Sequence, residues 1–141
     1  MKKIMRILGV AMLSILISTA FTACDDNDDN FNPSDYTEQD NALVGTWQYV
    51  KAGTGWGDTE TITFYANGTY DETDIEIDNK GTETTWERGT WNTNSTKNQV
   101  MLKITASSDP SEVGDFDIEN YKVSNGELLL DRTTYKSVPN P

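Results

Sequence analysis

The chain has 141 residues, of which 11 are basic and 23 acidic, for a formal net charge of −12; it contains no histidine and one cysteine. The carboxylate excess excludes nucleic acid as a partner, because that binding rests on neutralising phosphates with lysine and arginine. The lack of histidine excludes Ser-His and Cys-His nucleophile pairs and His-ligated zinc, and a single thiol excludes an intrachain disulfide.

The first element is residues 1–23. They open with Met1-Lys2-Lys3-Ile4-Met5-Arg6, run apolar from Ile7 to Phe21, and end on Thr22-Ala23 before Cys24. A basic start, an apolar middle and small residues at the cut are the grammar of a cleaved secretory signal. The apolar run, about 15 residues, is shorter than the roughly 20 that a spanning helix needs. The sole cysteine stands at the expected cleavage site. This resembles the signal peptide of a bacterial lipoprotein, which implies that Cys24 is lipidated and anchors the chain in a membrane. Two or three acyl chains, at roughly 0.8 kcal/mol per buried methylene, give stable attachment. Without Lys2, Lys3 and Arg6, eight basic residues face 23 acidic ones, a formal −15 for the mature chain.

Residues 24–41 come next. After Cys24 they hold seven acids and no base. Such a segment cannot bury enough apolar surface to fold, so it predicts a disordered acidic tether with Phe31 and Tyr36 unstructured. Asp25-Asp26-Asn27-Asp28-Asp29 lacks the glycine and the distal glutamate of a calcium loop and reads as a solvated spacer. Following Cys24, it also resembles the acidic export signal of lipoproteins in one large group of Gram-negative bacteria. That resemblance implies an outer-membrane anchor with the domain facing the cell exterior. A periplasm-facing anchor stays open, because in enteric bacteria an aspartate directly after the cysteine retains the protein at the inner membrane.

From residue 42 to 141 the texture is that of an all-β domain. Short runs rich in Thr, Tyr, Trp, Ile and Val alternate with turn residues, the pattern of a sandwich or barrel. The predicted strands cover 44–52, 60–66, 69–77, 83–91, 99–106, 115–123, 127–131 and 133–138. Turns are expected at Ala66-Asn67-Gly68, Asp78-Asn79-Lys80-Gly81, Asn92-Thr93-Asn94-Ser95 and Ser124-Asn125-Gly126. Alternation places Ile62 with Phe64, Val100 with Leu102 and Ile104, and Phe116 with Ile118 on apolar faces. Tyr70 and Ile75 are out of phase, which predicts a bulge near Glu72–Asp74.

Leu43-Val44-Gly45-Thr46-Trp47 opens this domain, and Gly89-Thr90-Trp91 repeats its last three positions as a second Gly-x-Trp. With the Asn67-Gly68 hairpin and about eight strands, this resembles the lipocalin-like domain of small bacterial lipoproteins over about residues 42 to 138. The resemblance implies an antiparallel up-and-down eight-stranded barrel that can hold one small hydrophobic molecule. It gives Gly45, Trp47, Gly89 and Trp91 a structural role at the closed end. Eight strands enclose just enough room for side chains to fill, so a short barrel with a filled interior is the alternative.

No catalytic residues, cofactor or metal site are expected. Asp74, Glu76 and Asp78 share one strand face, with Ile75 and Ile77 on the other. A glycosidase would need two such carboxylates across a cleft, but a solvated face gives the same pattern. Trp56 lies in Gly53-Thr54-Gly55-Trp56-Gly57-Asp58, read as a flexible loop between the first two strands. Trp86 is out of phase with Trp91, so one of the pair faces solvent. Trp56, Trp86 and Tyr121 are the candidate ligand-binding residues. The functional expectation is a non-catalytic, membrane-anchored binding lipoprotein for a small hydrophobic molecule. A structural or interaction lipoprotein with a filled core, or a carbohydrate-binding accessory protein, are the alternatives.

Overall fold

A computed structural model describes residues 31–139. The signal peptide, Cys24 and the acids at 25–29 lie outside the described residues. Eight strands follow one another: β1 (Gly45–Gly53), β2 (Trp56–Phe64), β3 (Thr69–Asp78), β4 (Gly81–Asn94), β5 (Gln99–Ser107), β6 (Phe116–Ser124), β7 (Glu127–Leu130) and β8 (Thr133–Val138). Each pairs antiparallel with the next, and β8 pairs with β1, closing an up-and-down barrel. This is the fold class that the sequence predicts.

The turns show why the strands fall where they do. Asn125 (φ 53°) and Gly126 (φ 76°) both take positive φ between β6 and β7, as a two-residue type I′ hairpin requires. The Asn67 side chain accepts from the backbone and hydroxyl of Thr69, and Asp78 accepts from the amides of Lys80 and Gly81. Both are Asx turns that mimic a backbone bend. The expected bulge in β3 is absent, since β3 keeps one register with β2 and β4 throughout. The register slips instead between β4 and β5, at Arg88/Gly89. An added Cβ at Gly89 would meet the Lys103 carbonyl oxygen, and Gly45 takes φ 143° with open space around it. Gly45 thus serves conformation, and Gly89 serves close approach.

One end of the barrel is solid. Trp47, Ile62, Phe64, Tyr70, Trp91, Val100, Leu102, Leu128, Leu130 and Tyr135 pack there around Leu43. Phe64 and Trp91 meet edge to face at 5.4 Å, a favoured aromatic geometry. The indoles of Trp47 and Trp91 donate to the carbonyls of Leu43 and Tyr65. Each buried ring therefore has its polar atom satisfied.

Residues 31–41, expected to belong to the disordered tether, are ordered against this end. A 3₁₀ turn at Pro33–Asp35 is capped by the Asn32 side chain. Tyr36 is buried and its hydroxyl donates to Gln99 at 2.9 Å. Glu38 bridges Thr93 through two backbone hydrogen bonds, taking the place beside β4 that β3 has vacated. The composition is polar, but the backbone supplies the pairing and two aromatic contacts add apolar packing. Phe31 stacks on Phe116 at 5.4 Å and on Tyr36 at 6.1 Å.

That packing explains another departure. Asp117 lies opposite Leu102, and Glu119 opposite Val100, so on β6 the carboxylates face the interior. Phe116 and Ile118, read as core-facing, lie on the outer wall. Phe31 covers Phe116 there, and Met101, opposite Ile118, is buried on the same wall.

Candidate functional site

Cross-strand partners share a face of the sheet, so the register assigns the barrel interior strand by strand. From the apolar end toward the other, β2 carries Phe64, Ile62, Glu60 and Asp58. Opposite them on β3 stand Tyr70, Glu72, Asp74 and Glu76. On β4 the matching positions are Gly89, Glu87, Thr85 and Glu83. On β2 and β3 hydrophobic side chains hold one half and a ladder of carboxylates lines the other, while Glu119 and Asp117 of β6 enter the apolar half opposite Val100 and Leu102. Asp58 faces Glu76, Glu60 faces Asp74, and Glu72 faces Glu87. Lys51, opposite Asp58 on β1, is the base on this wall, and its ammonium lies 5.6 Å from the centre of the Trp56 ring.

Like charges this close on one face repel, and protonation equilibria respond. Asp74 is pushed up to about 7, first by burial and then by Asp58, with which it shares a hydrogen bond, and by Glu60 and Glu76. Burial also raises Tyr70 well above the ordinary phenol range, helped by Glu87, Glu72 and Asp117. The Tyr70 hydroxyl donates to Glu87 at 3.2 Å, and the Tyr135 hydroxyl donates to Glu60. Two tyrosines thus form the boundary between the apolar plug and the carboxylates, each with its ring in the core and its hydroxyl on an acid. Among the described residues no group of three or more acidic or cysteine side chains is arranged to hold a metal ion.

The three candidate binding residues are not brought together. Trp56 is not in a loop. It is the first residue of β2, paired with Gly53 across a two-residue turn, and its indole lies over that glycine. The glycine provides the space, and Lys51 completes the contact, leaving the ring 44% exposed. Trp86 is on the outer wall of β4 and 39% exposed, whereas Trp91 is fully buried. Tyr121 points inward at the plugged end, where its hydroxyl donates to Asp40 at 2.9 Å. Burial and then Asp40 push it up to about 12.

Asp74 and Glu76, read as part of a solvated strand face, instead turn into the barrel together with Glu72 of the same acidic run; the interior carboxylates Asp58, Glu60, Glu87, Asp117 and Glu119 were not singled out from the sequence. The signal for them was present as phase. Phe64, Ile62, Glu60 and Asp58 alternate without a break, and continuing that face past the apolar residues leads straight into the acids.

The surface of the described residues includes two shallow clefts. One of about 320 Å³ lies between residues 35–38 and the β4–β5 turn, lined by Thr37, Asn94, Ser95 and Lys97 among others. The other, of about 190 Å³, sits at the tip of the β3–β4 hairpin.

No protein-family model matches the chain, and no curated protein matches it. Among solved structures, lipoprotein YedD from Klebsiella pneumoniae subsp. pneumoniae is similar at 13% identity, over 75% of this chain and 80% of that one, with a TM-score of 0.46.

Proposed function

We propose that this chain is a lipid-anchored barrel protein, held on the outer membrane through Cys24, that works by non-catalytic binding at its surface. One observation carries this reading: the described interior positions hold close-packed hydrophobic side chains or carboxylates. Its closed half is occupied by packed rings and leucines, and its other half is lined by carboxylates. An apolar molecule would have to displace close-packed side chains or desolvate ionised groups. The filled-core interaction lipoprotein is therefore favoured over a carrier of a small hydrophobic ligand.

The anchor rests on residues 1–24, with their basic start, apolar run and cysteine at the cut. The acids at 25–29 support export to the cell surface. The non-catalytic reading rests on the lack of histidine and on the placement of the carboxylates. Glycoside hydrolysis needs two carboxyl groups flanking one bond across a cleft. Asp58, Glu60, Asp74 and Glu76 instead stand side by side on two adjacent strands of one wall.

Two measurements test the proposal. Cys24→Ala is expected to move the protein from the membrane to the soluble fraction, and membrane retention after signal removal would refute the anchor. Titration with fatty acids, haem or a lipophilic dye is expected to leave tryptophan fluorescence and melting temperature unchanged. A saturable shift with added thermal stability would refute the filled core.

A further inference from the structure

The outer wall of β3 and β4 carries a row of side chains that the barrel does not use for its own closure. Trp86 stands there opposite Thr73, with Thr61 next across on β2. Its position is fixed from behind, because its amide donates to the Ser108 hydroxyl at 3.0 Å and its carbonyl accepts from the Ser108 amide at 2.8 Å. The Arg88 guanidinium lies 5.3 Å from the centre of the Trp86 ring. The same group pairs with Asp71 at 3.1 Å, and the other oxygen of Asp71 accepts from the Tyr65 hydroxyl at 3.0 Å. Two aromatic rings, 39% and 36% exposed, are thus joined by an Arg–Asp pair. The register slip falls between Arg88 and Gly89, and a bulge re-aims the side chain that it carries.

The guanidinium covers part of the Trp86 ring and the rest of the indole stays open, with the Asp71 carboxylate and the Tyr65 hydroxyl beyond it; an open ring surface beside polar groups matches a pyranose, which presents C–H groups on its face and hydroxyls around its rim. Charge narrows the class further. Asp71 neutralises Arg88, and threonine hydroxyls flank the row, so this wall is electrically neutral on a chain of net charge −12. The chain's own field repels a polyanion, and the carboxylate ladder, not this wall, attracts a cation. We propose that Trp86, Arg88, Asp71 and Tyr65 form a binding platform for a neutral polysaccharide, with a sugar ring stacked on Trp86. The proposal rests on the reading above that the barrel acts through its surface.

The test is affinity electrophoresis and calorimetry of the purified protein with a soluble neutral β-glucan, a neutral α-mannan and polygalacturonate. At least one neutral polymer is expected to retard the protein, and polygalacturonate is not. Trp86→Ala should abolish the retardation and Trp86→Phe should restore part of it. Arg88→Gln should weaken binding about tenfold, the loss expected with a charge-assisted hydrogen bond. Trp56→Ala should leave it unchanged, which separates this platform from the tryptophan at the barrel rim. Circular dichroism checks that each variant folds. No retardation by either neutral polymer would overturn the platform, as would retardation that survives Trp86→Ala in a folded protein. If a lipophilic dye enters the core while glycan binding persists, the filled-core reading fails and the platform stands.

Discussion

The carboxylate ladder makes a quantitative prediction about pH. Asp74 has its folded pKa raised from 3.8 to about 7. A raised carboxyl pKa means that the folded state binds the proton more tightly than the unfolded chain does. Folding is then unaffected by this group below the unfolded pKa, loses stability as pH rises through the interval from about 4 to about 7, and carries the full penalty above it. At 1.36 kcal/mol per unit the shift corresponds to an upper bound of about 4 kcal/mol. Asp74 is only partly buried, and solvent screening brings the expected effect down to about 1–2 kcal/mol. Asp74→Asn imitates the protonated carboxyl, because the amide keeps a donor for Asp58 and carries no charge. The variant should melt with the wild type at pH 4 and above it at pH 8. The gain at pH 8 should be about 4–16 °C, from roughly 4–8 °C per kcal/mol in a domain of this size. The assay is thermal unfolding followed by circular dichroism at both values. A variant no more stable than wild type at pH 8, or equally stabilised at both, would refute the idea that burial and the neighbouring carboxylates hold the Asp74 carboxyl above its ordinary range.

Two further outcomes follow from packing. Gly89→Ala should prevent the domain from folding or lower its melting temperature severely, because the new Cβ meets the Lys103 backbone carbonyl and the Tyr70 ring; a well-folded variant in a thermal melt would contradict the close approach of β4 and β5. Leu43→Ala should destabilise the barrel by about 2–5 kcal/mol in urea unfolding, because Leu43 is fully buried in the core cluster; a loss under about 1 kcal/mol would show that the segment before β1 does not close this end.

Much of the fold was legible in the chain because strand pairing here is local. Every strand is hydrogen-bonded to its sequence neighbour, so Asn67-Gly68, Asp78 with Gly81, and Asn125-Gly126 set both the ends and the pairing of the strands they join. Alternation did the same for the apolar halves of β2 and β5, where Ile62, Phe64, Val100 and Leu102 are all buried. The exposure of Trp86 against the burial of Trp91 was likewise present in their odd spacing along one strand.

What the sequence could not decide was which face of a strand becomes the inside. On β6 the alternation of Phe116 and Ile118 with Asp117 and Glu119 is equally compatible with either choice, since a one-residue change of phase exchanges the faces. Closure of the barrel fixed the phase through the pairing of Asp117 with Leu102 and Glu119 with Val100. It became tolerable because Phe31, from a segment too polar to fold alone, covers Phe116 from outside. The carboxylate ladder has the same origin: Glu60 and Asp74 are fourteen residues apart in the chain and become opposite neighbours only when β2 and β3 pair. Turn chemistry and hydrophobic period are properties of a few adjacent residues and are written in the chain. The polarity of the interior depends on which strands meet and what lies over them, and only the assembled barrel decides that.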